Sequence, residues 1–326
     1  MNLRYNYLFL VSDCMADCTM CEFEELNIAK KVNKSRLSEN KLFDLFLRFY
    51  LSIGANKVFS LPFKSAIYKS LLSDKFQENR PICIVISPPW YDKRLIKFLR
   101  KRYDGCKLII HFNDTVKQAL QSNRHLTLDI IKNDFDAAIV YNPDDAKKYG
   151  FLLHSVGYSV FPEDKLQEFP KCDIAFIGAA KNRLPLIRKL YEKFTQSGLD
   201  CYFYVTEVPK TERIKDGIIY GDKNLPFKEY LAREASAKAL LEIVQGGSKG
   251  KTYRTIEALA YNKMLITNCP EIKDTPYYNK DFVLYFEDED DISVDFIKNH
   301  MENIDYNYNG DFSQKNFIEF IDNFLK

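Results

Sequence analysis

The sequence lacks the marks of a secreted or membrane-spanning chain. No stretch reaches the ~18 uncharged apolar residues that a transmembrane helix needs. The first segment, MNLRYNYLFLVSDC, has neither the long apolar core nor the small-residue cleavage site of a signal peptide. The eight cysteines are scattered through 326 residues, which favours reduced thiols over a disulfide framework. We therefore expect a cytoplasmic protein, and its 46% hydrophobic content is typical of a globular chain with a core.

The sequence also has little net charge, +2 at pH 7, and no recognised nucleic-acid-binding motif. A nucleic-acid partner is therefore not expected. The charge is unevenly spread: residues 1–162 contain 24 Lys and Arg against 17 Asp and Glu, and the remainder contains 23 against 28. The basic first half indicates an anionic partner, such as a membrane surface or a phosphorylated acceptor, or else ordinary surface variation.

Short apolar strands alternate with amphipathic helices, which is typical of parallel α/β sheets. The strands predicted for the first half are 5–11, 81–86, 107–111 and 137–141, with helices at 41–52 and 94–102. Those predicted for the second half are strands 171–178, 200–205, 217–220, 237–244, 264–268 and 282–286, with helices at 184–197, 227–234, 252–261 and 312–325. The stretch 151–170 has two prolines and little periodicity, so it contains the predicted domain boundary.

The fold class that this pattern predicts is α/β, with two Rossmann-like doubly wound domains that face each other across a cleft. We expect the domains to be 1–160 and 161–326, with the last helix as a candidate to pack on the first domain. Ligands of such sheets bind beyond the carboxyl ends of the strands.

The stretch QGGSKGKTYRTIEALA, residues 245–260, is one residue short of a P-loop, because Gln245 stands where that motif needs glycine. A glycine-rich turn between a strand and a helix still lets a ligand approach the backbone, and the helix N-terminus favours a diphosphate. Arg254 adds a bidentate cation, and Glu257 is a candidate to accept hydrogen bonds from ribose hydroxyls. The alternative is a glycine-rich turn with a solvated Arg and Glu.

This region resembles the C-terminal nucleotide-sugar domain of GT-B glycosyltransferases, above all those of bacterial capsular polysaccharide, exopolysaccharide or lipopolysaccharide synthesis. That group carries a G-x-T-x-R-x-x-E-A-L run followed by a strand ending in I-T-x-N. The matching residues are Gly250, Thr252, Arg254, Glu257, Ala258, Leu259, Ile266 and Thr267, with Asn268 directly after Thr267 and one position earlier than in that pattern. An "fDaa…ydp.DA.kYg" segment matches Phe135, Asp136 and residues 141–150, and a "D-I-x-F-I-G-x-x-K-x-R" segment matches Asp173, Phe176, Gly178, Lys181 and Arg183.

The resemblance implies that the second domain binds a nucleoside diphosphate sugar and that the first domain binds the acceptor. The implied donor-binding residues are Gly178, Lys181, Arg183, Gly250, Thr252, Arg254 and Glu257. Cations at this place would stabilise the departing diphosphate. One departure stands out: retaining members often have two glutamates with seven residues between them, and the position of the first is Lys249. The stereochemical outcome is therefore left open.

Polar residues at predicted strand ends of the first domain are the candidates for a catalytic base. Asp13 and Asp114 each follow a strand, and His111 lies at the end of one. An inverting transfer needs such a group to take the proton of the acceptor hydroxyl. Each of these residues is also a candidate for a purely structural role. No DxD-like segment is convincing as a metal site, so we expect neither a metal nor another cofactor.

Cys14, Cys18 and Cys21 have the C-x3-C-x2-C spacing of radical S-adenosylmethionine enzymes. No glycine-rich segment suited to S-adenosylmethionine follows them, so this enzyme class is the alternative interpretation. A non-catalytic scaffold that binds nucleotide sugars is a further alternative.

The segment 90–107 is basic with interleaved aromatics, and a helix there would offer cations to anionic lipid at the inner face of the membrane. A solvated helix face is the alternative. The sequence predicts, in sum, a glycosyltransferase that moves a sugar from a nucleoside diphosphate to a glycan or a lipid-linked acceptor in cell-surface polysaccharide synthesis.

Overall fold

The computed structural model describes residues 3–58, 61–72, 76, 79–244 and 251–326. The chain divides into two compact units, one made of Met1–Ser159 with Phe312–Lys326 and the other of Val160–Asp311. Each unit contains a six-stranded sheet in which every described strand pair is parallel. The predicted α/β class with two Rossmann-like units is confirmed.

The first unit contains strands β1 to β6 in the order β2-β1-β3-β4-β5-β6. They are β1 Asn6–Val11, β2 Ala29–Asn33, β3 Ile82–Ile86, β4 Lys107–Phe112, β5 Ala137–Val140 and β6 Leu152–Leu153. Its helices are α1 Ala16–Thr19, α2 Lys41–Tyr50, α3 Ile53–Val58, α4 Lys64–Leu71, α5 Lys93–Arg102, α6 Val116–Ser122, α7 Leu128–Asp134 and α8 Pro143–Tyr149. The chain runs from β1 to β2 on one side and then to β3 on the other, so the strand order reverses between β1 and β3.

Both faces of the first sheet are buried. Leu8 and Leu10 of β1 join a core that includes helices α5, α6 and α7, whereas Tyr7 and Phe9 join a second core on the opposite face. Successive side chains of a strand point to opposite faces, so a sheet covered on both sides has strands that are apolar throughout. This explains the uninterrupted apolar runs in the sequence.

The C-terminal helix of the chain, Gln314–Phe324, belongs to the first unit. Phe317 packs in the second core of the first sheet. Asp322 accepts hydrogen bonds from the Tyr7 hydroxyl and the Arg4 backbone N–H, both at 2.9 Å. Gln314 donates to the backbone oxygens of Thr19 and Gly157 at 3.0 and 2.7 Å. Apolar packing and buried hydrogen bonds together fix this helix to the sheet.

The second unit contains strands β7 to β12 in the order β12-β11-β10-β7-β8-β9. They are β7 Cys172–Ala179, β8 Cys201–Thr206, β9 Ile219–Tyr220, β10 Ala237–Glu242, β11 Met264–Thr267 and β12 Val283–Tyr285. Its helices are α9 Leu184–Gln196, α10 Phe227–Ser236, α11 Tyr253–Ala260 and α12 Val294–His300, and Gln314–Phe324 is therefore α13. The chain fills one side of β7 with β8 and β9 and then the other side from β10 onward, so the order reverses between β7 and β10.

The predicted strands and helices end within two residues of the observed ones. Strands β2 and β6 were not predicted. β2 reads AKKVN, in which two lysines interrupt the apolar pattern, and β6 has only two residues. Within the described residues, no helix combines the length and the apolar character that crossing a bilayer requires.

Candidate functional site

The residues of the second-unit motif gather where β7 and β10 end. In an open parallel sheet, the place where the strand order reverses leaves a crevice beyond the carboxyl ends of the strands. Gly178 and Ala179 end β7, and Glu242 ends β10. Residues 245–250 lie outside the described part of the chain, and they include the predicted site residue Gly250 and also Lys249.

Thr252 is the N-cap of α11, and its hydroxyl accepts a hydrogen bond from the Arg254 backbone N–H at 3.1 Å. The same hydroxyl donates to Glu242. Thr255 and Thr267 also donate to this carboxylate, and Glu242 is only 1% exposed. Three hydroxyl donors make burial of the carboxylate tolerable, because a buried charge without partners is very costly. The motif threonines therefore hold β10, β11 and α11 together.

Arg254 is directed into the protein. Its Nε donates to Glu234 Oε1 at 2.9 Å, and the exposed fractions of the two side chains are 11% and 1%. A second guanidinium nitrogen donates to the Ile177 backbone oxygen at the end of β7. The guanidinium also lies 5.3 Å from the centre of the Phe176 ring. These contacts connect the first turn of α11 to α10 and β7.

Glu257 lies one turn further along α11 and is fully buried. The Tyr230 hydroxyl donates to its Oε2 at 2.6 Å. Burial, followed by the neighbouring charge of Glu234, raises the pKa of Glu257 well above its usual range. The raised pKa favours a Glu257 that stays protonated beside the charge of Glu234. Contact of Glu257 with a ribose stays a prediction.

Arg183 follows β7 and reaches across to β10. Its guanidinium donates to the backbone oxygens of Ile243 and Ala179. Its Nε is buried and has no hydrogen-bond partner among the described residues. Burial, followed by the nearby charge of Arg254, lowers the pKa of Arg183. Two guanidinium groups thus lie at the same edge of the sheet, and one of them has a donor to spare.

Gly178 lies near the end of β7, and Lys181 lies in the turn between β7 and α9. Lys181 is exposed and has φ of 45°, a left-handed conformation that lysine rarely adopts. A Cβ on Gly178 would meet only the Phe176 ring, at an ordinary 3.7 Å. The protein itself therefore does not require a glycine at 178. Donor binding by either residue stays a prediction.

The first-unit candidates Asp13 and Asp114 lie at the carboxyl edge of the first sheet. Asp13 is half-buried, and its Oδ1 accepts the Met15 backbone N–H at 2.8 Å. Burial raises the pKa of Asp13, the Met15 hydrogen bond opposes this, and the charge of Asp114 adds to the rise. Asp114 itself is exposed. A raised pKa is the direction that suits a general base working near neutral pH, so the structure brings these two carboxylates within electrostatic reach of each other.

His111 is half-buried beside α13. Its ring lies 4.6 Å from that of Phe317, and its Nε2 is buried with no hydrogen-bond partner among the described residues. Burial, followed by the charge of His154, lowers the pKa of His111 to about 3. A group with such a pKa is neutral at pH 7 and is a weak base. Proton removal by Asp13, Asp114 or His111 stays a prediction.

The three early cysteines do not converge. Cys14 is exposed, Cys18 is buried and Cys21 is half-buried, on a segment that runs through α1 into a short 3-10 turn. Within the described residues, the group that brings three candidate ligand atoms within 4.8 Å of one another is acidic, Asp288, Glu289 and Asp290. The three thiols are thus not arranged to hold one iron–sulfur cluster.

Sequence reasoning missed three residues of the second-unit network, namely Tyr230, Glu234 and Glu242. A signal for Glu242 was present, because a glutamate at the end of the apolar run ALLEIV must be paired when that strand is buried. Glu234 and Tyr230 lie on α10, which the motif does not include, and no spacing in the sequence joins them to Arg254.

No protein-family model matches the chain, and a search of curated proteins found no match. Among solved structures, trehalose-6-phosphate synthase OtsA is 12% identical with a TM-score of 0.47, over 88% of this chain and 81% of that chain. UDP-N-acetylglucosamine 2-epimerase from Rickettsia bellii is 14% identical with a TM-score of 0.45, over 99% of this chain and 95% of that chain. TarM is 11% identical with a TM-score of 0.42, over 73% of this chain and 54% of that chain. The fold assignment rests on strand order and register in the two sheets.

Proposed function

We propose that the protein is a GT-B glycosyltransferase that moves a sugar from a nucleoside diphosphate sugar to a glycan or lipid-linked acceptor in cell-surface polysaccharide synthesis. The observation that carries the proposal is the pair of guanidinium groups, Arg183 and Arg254, at the reversal between β7 and β10. Rossmann-like sheets bind nucleotides at such reversals. The motif resemblance points to the same place.

The chemistry needs a stabilised leaving group. The bond between the anomeric carbon and the diphosphate oxygen breaks, and negative charge develops on the diphosphate. Fixed cations that already stand at that edge stabilise this charge without reorganising. The spare Nε of Arg183 is a buried donor, and such a donor is normally satisfied by protein, water or ligand. A diphosphate oxygen would satisfy it, and Lys181 would add a third cation.

The acceptor supplies the other half of the reaction. Its hydroxyl oxygen forms the new bond to the anomeric carbon and loses its proton to a base if the reaction inverts. Asp13 is the proposed base, because burial and Asp114 raise its pKa. Asp114 is the second candidate.

Peripheral contact with an anionic membrane is part of the proposal. Helix α2 turns the apolar stripe Leu42, Leu45, Phe46 and Phe49 outward, with exposed fractions of 82, 59, 50 and 63%. These positions follow the i, i+3, i+4, i+7 pattern that normally faces a core. An apolar stripe beside cations is the chemistry that binds an anionic lipid interface.

The cations come from α5. The Tyr50 hydroxyl at the end of α2 donates to the Pro62 backbone oxygen, next to Phe63, which is 79% exposed. Arg94 of α5 donates to the Leu61 backbone oxygen at 3.1 Å, so α5 adjoins the same segment. Helix α5 carries six Lys and Arg and no acidic residue.

The test of nucleotide binding is a thermal-shift series with nucleoside diphosphates and their sugars. A ligand that binds only the folded state raises the melting temperature by mass action. We expect wild type to respond to at least one of them and Arg183→Met to lose most of the response. Lys298→Met, an exposed cation of α12 in the same unit, is the matched control. Wild type that responds to no nucleotide would overturn the proposal.

A donor-turnover assay separates the enzyme from the non-catalytic scaffold. The scaffold has support in the observation that Arg254 and Glu257 already have partners inside the protein. An enzyme releases nucleoside diphosphate, and Asp13→Asn slows this release without weakening the thermal shift. Binding with no turnover of any donor would favour the scaffold.

A further inference from the structure

A cavity of about 650 Å³ lies in the first unit, apart from the residues proposed above for donor binding and proton removal. It forms where the first sheet reverses its strand order. Lys34 follows β2, and its backbone N–H bonds to the Val11 oxygen at the end of β1 at 2.7 Å. Trp90 follows β3, and its Nε1 donates to the same oxygen at 2.5 Å. The carboxyl ends of β1, β2 and β3 thus supply the floor of the cavity.

The lining of this cavity is cationic. The lysines and arginine that line it are Lys34, Lys64, Lys93, Arg94 and Lys97, whereas Asp92 is the one carboxylate among the described lining residues. Lys93, Arg94 and Lys97 are exposed to solvent, whereas Lys34 is half-buried and Lys64 is buried. Cations removed from water need compensation, and Asp92 is the one carboxylate that the described lining offers to these two lysines.

Asp92 is already committed to other partners. Its Oδ2 forms an ion pair with Lys64, which is only 6% exposed. Its Oδ1 accepts the Arg94 backbone N–H at 2.8 Å as the N-cap of α5. The Tyr68 hydroxyl lies 3.5 Å from Oδ2. Little capacity is left on this carboxylate for a further cation.

Lys34 is a half-buried cation of this cavity that has no ion pair with a described carboxylate. Its Nζ donates to the Pro89 backbone oxygen at 2.8 Å and lies 5.6 Å from the centre of the Trp90 ring. No described carboxylate lies within ion-pair distance of it. Burial, followed by the charge of Lys64, lowers the pKa of Lys34 to about 8, although Asp92 opposes this. An ammonium in that position is stabilised by an anion that enters the cavity.

We propose that this cavity is a binding site for a phosphate group, held by Lys34 and Lys64 at the strand reversal of the first sheet. Nothing in the proposed nucleotide site enters the argument, because Arg183 and Arg254 lie in the other unit. The phosphate site stands without the proposed glycosyl transfer. The identification of the acceptor as a phosphorylated molecule rests on that proposed function.

The probe is inorganic phosphate. Its binding is measured by calorimetry and by NMR of lysines labelled by reductive methylation. We expect saturable binding to wild type, and Lys34→Met should weaken it about tenfold or more, because the phosphate loses a hydrogen bond from a charged donor. Lys34→Arg, which keeps the charge, should retain most of the affinity. Lys101→Met is the matched control, because Lys101 is an exposed cation of α5 outside the cavity.

Parallel measurements identify the source and the site. Vesicles of phosphatidic acid, compared with free phosphate, show whether the phosphate belongs to a lipid headgroup, and either result supports the site when it depends on Lys34. Arg183→Met should leave phosphate binding unchanged, which separates this proposal from the nucleotide site. Wild type that binds neither probe, or equal losses in Lys34→Met and Lys101→Met with both variants folded, would overturn the proposal.

Discussion

Arg254 and Glu234 form an ion pair at 2.9 Å in which 11% of the arginine side chain and 1% of the glutamate side chain are exposed. The pair joins α10 and α11 at the carboxyl edge of the second sheet. Breaking a buried pair by removing one partner leaves an uncompensated charge.

Arg254→Met should therefore lower the free energy of unfolding by ~3–5 kcal/mol. Arg254→Met combined with Glu234→Leu should lose less than the sum of the two single changes, because no charge is left alone. Urea denaturation measures both. Arg36→Ala is the control, because the Arg36–Glu39 pair is 60% and 87% exposed and such pairs contribute ~0–1 kcal/mol. If the losses of unfolding free energy in Arg254→Met and Glu234→Leu simply add in the double variant, the buried ion pair is contradicted.

Glu257 predicts a pH dependence of stability. Its folded-state pKa is raised above the usual 4.5, so the folded protein keeps a proton that the unfolded chain releases. Its contribution is fully present below pH 4.5 and is lost as the pH rises toward the folded pKa, by up to ~1.4 kcal/mol per pH unit. Glu257→Gln should flatten this fall, because a neutral amide still accepts from Tyr230.

The measurement for Glu257 is urea denaturation at a series of pH values from 4 to 8. Glu39→Gln, at a side chain that is 87% exposed, should leave the slope as in wild type. An unchanged slope in Glu257→Gln would show that another group carries the pH dependence.

His111 predicts the opposite slope. Its pKa of about 3 lies below the usual 6.5, so the folded protein binds fewer protons than the unfolded chain between these values. Stability is then lost as the pH falls from about 6.5 toward 3, and His111→Phe should remove that loss. NMR should show a ring that stays neutral from pH 5 to pH 8. A His111 ring that titrates near pH 6.5 would contradict the prediction. His125→Gln is the control, because His125 is exposed and its replacement should leave the pH dependence of stability as in wild type.

The outward stripe of α2 predicts binding to anionic vesicles. Leu42→Glu and Phe49→Glu should each reduce co-sedimentation with vesicles rich in phosphatidylserine about tenfold or more, because burying such a side chain is worth ~1.5–3 kcal/mol. Ile214→Glu, at a residue of the second unit that is 56% exposed, is the control. Wild type that stays in the supernatant, or that binds neutral vesicles equally well, would contradict the membrane contact.

The alternation of strands and helices was readable because it depends on local periodicity. The apolar runs at 82–86 and 107–112 predict buried parallel strands wherever the sheet places them. Strand β2 escaped because two lysines interrupt it, yet it pairs with β1 over five residues. Pairing with a neighbour stabilises such a strand, and a neighbour is a property of the tertiary fold.

The candidate site was only partly readable. The motif placed Thr252, Arg254 and Glu257 on one helix, but their partners Glu242, Glu234 and Tyr230 come from β10 and α10. The motif therefore identified the helix and its cap, whereas the direction of the charged groups followed from packing against those other elements.

The sequence by itself determined the α/β class, the two-part organisation and the helices that carry the motif, because apolar periodicity fixes which segments form strands and helices. Which charged side chains come together in one buried site depends on the tertiary structure. Lys34, Lys64 and Asp92 are distant in sequence and meet in one cavity, because strand order brings the ends of β1, β2 and β3 together. The strength of an electrostatic contact depends on separation in space and on exclusion of water, and neither is written in the spacing of residues.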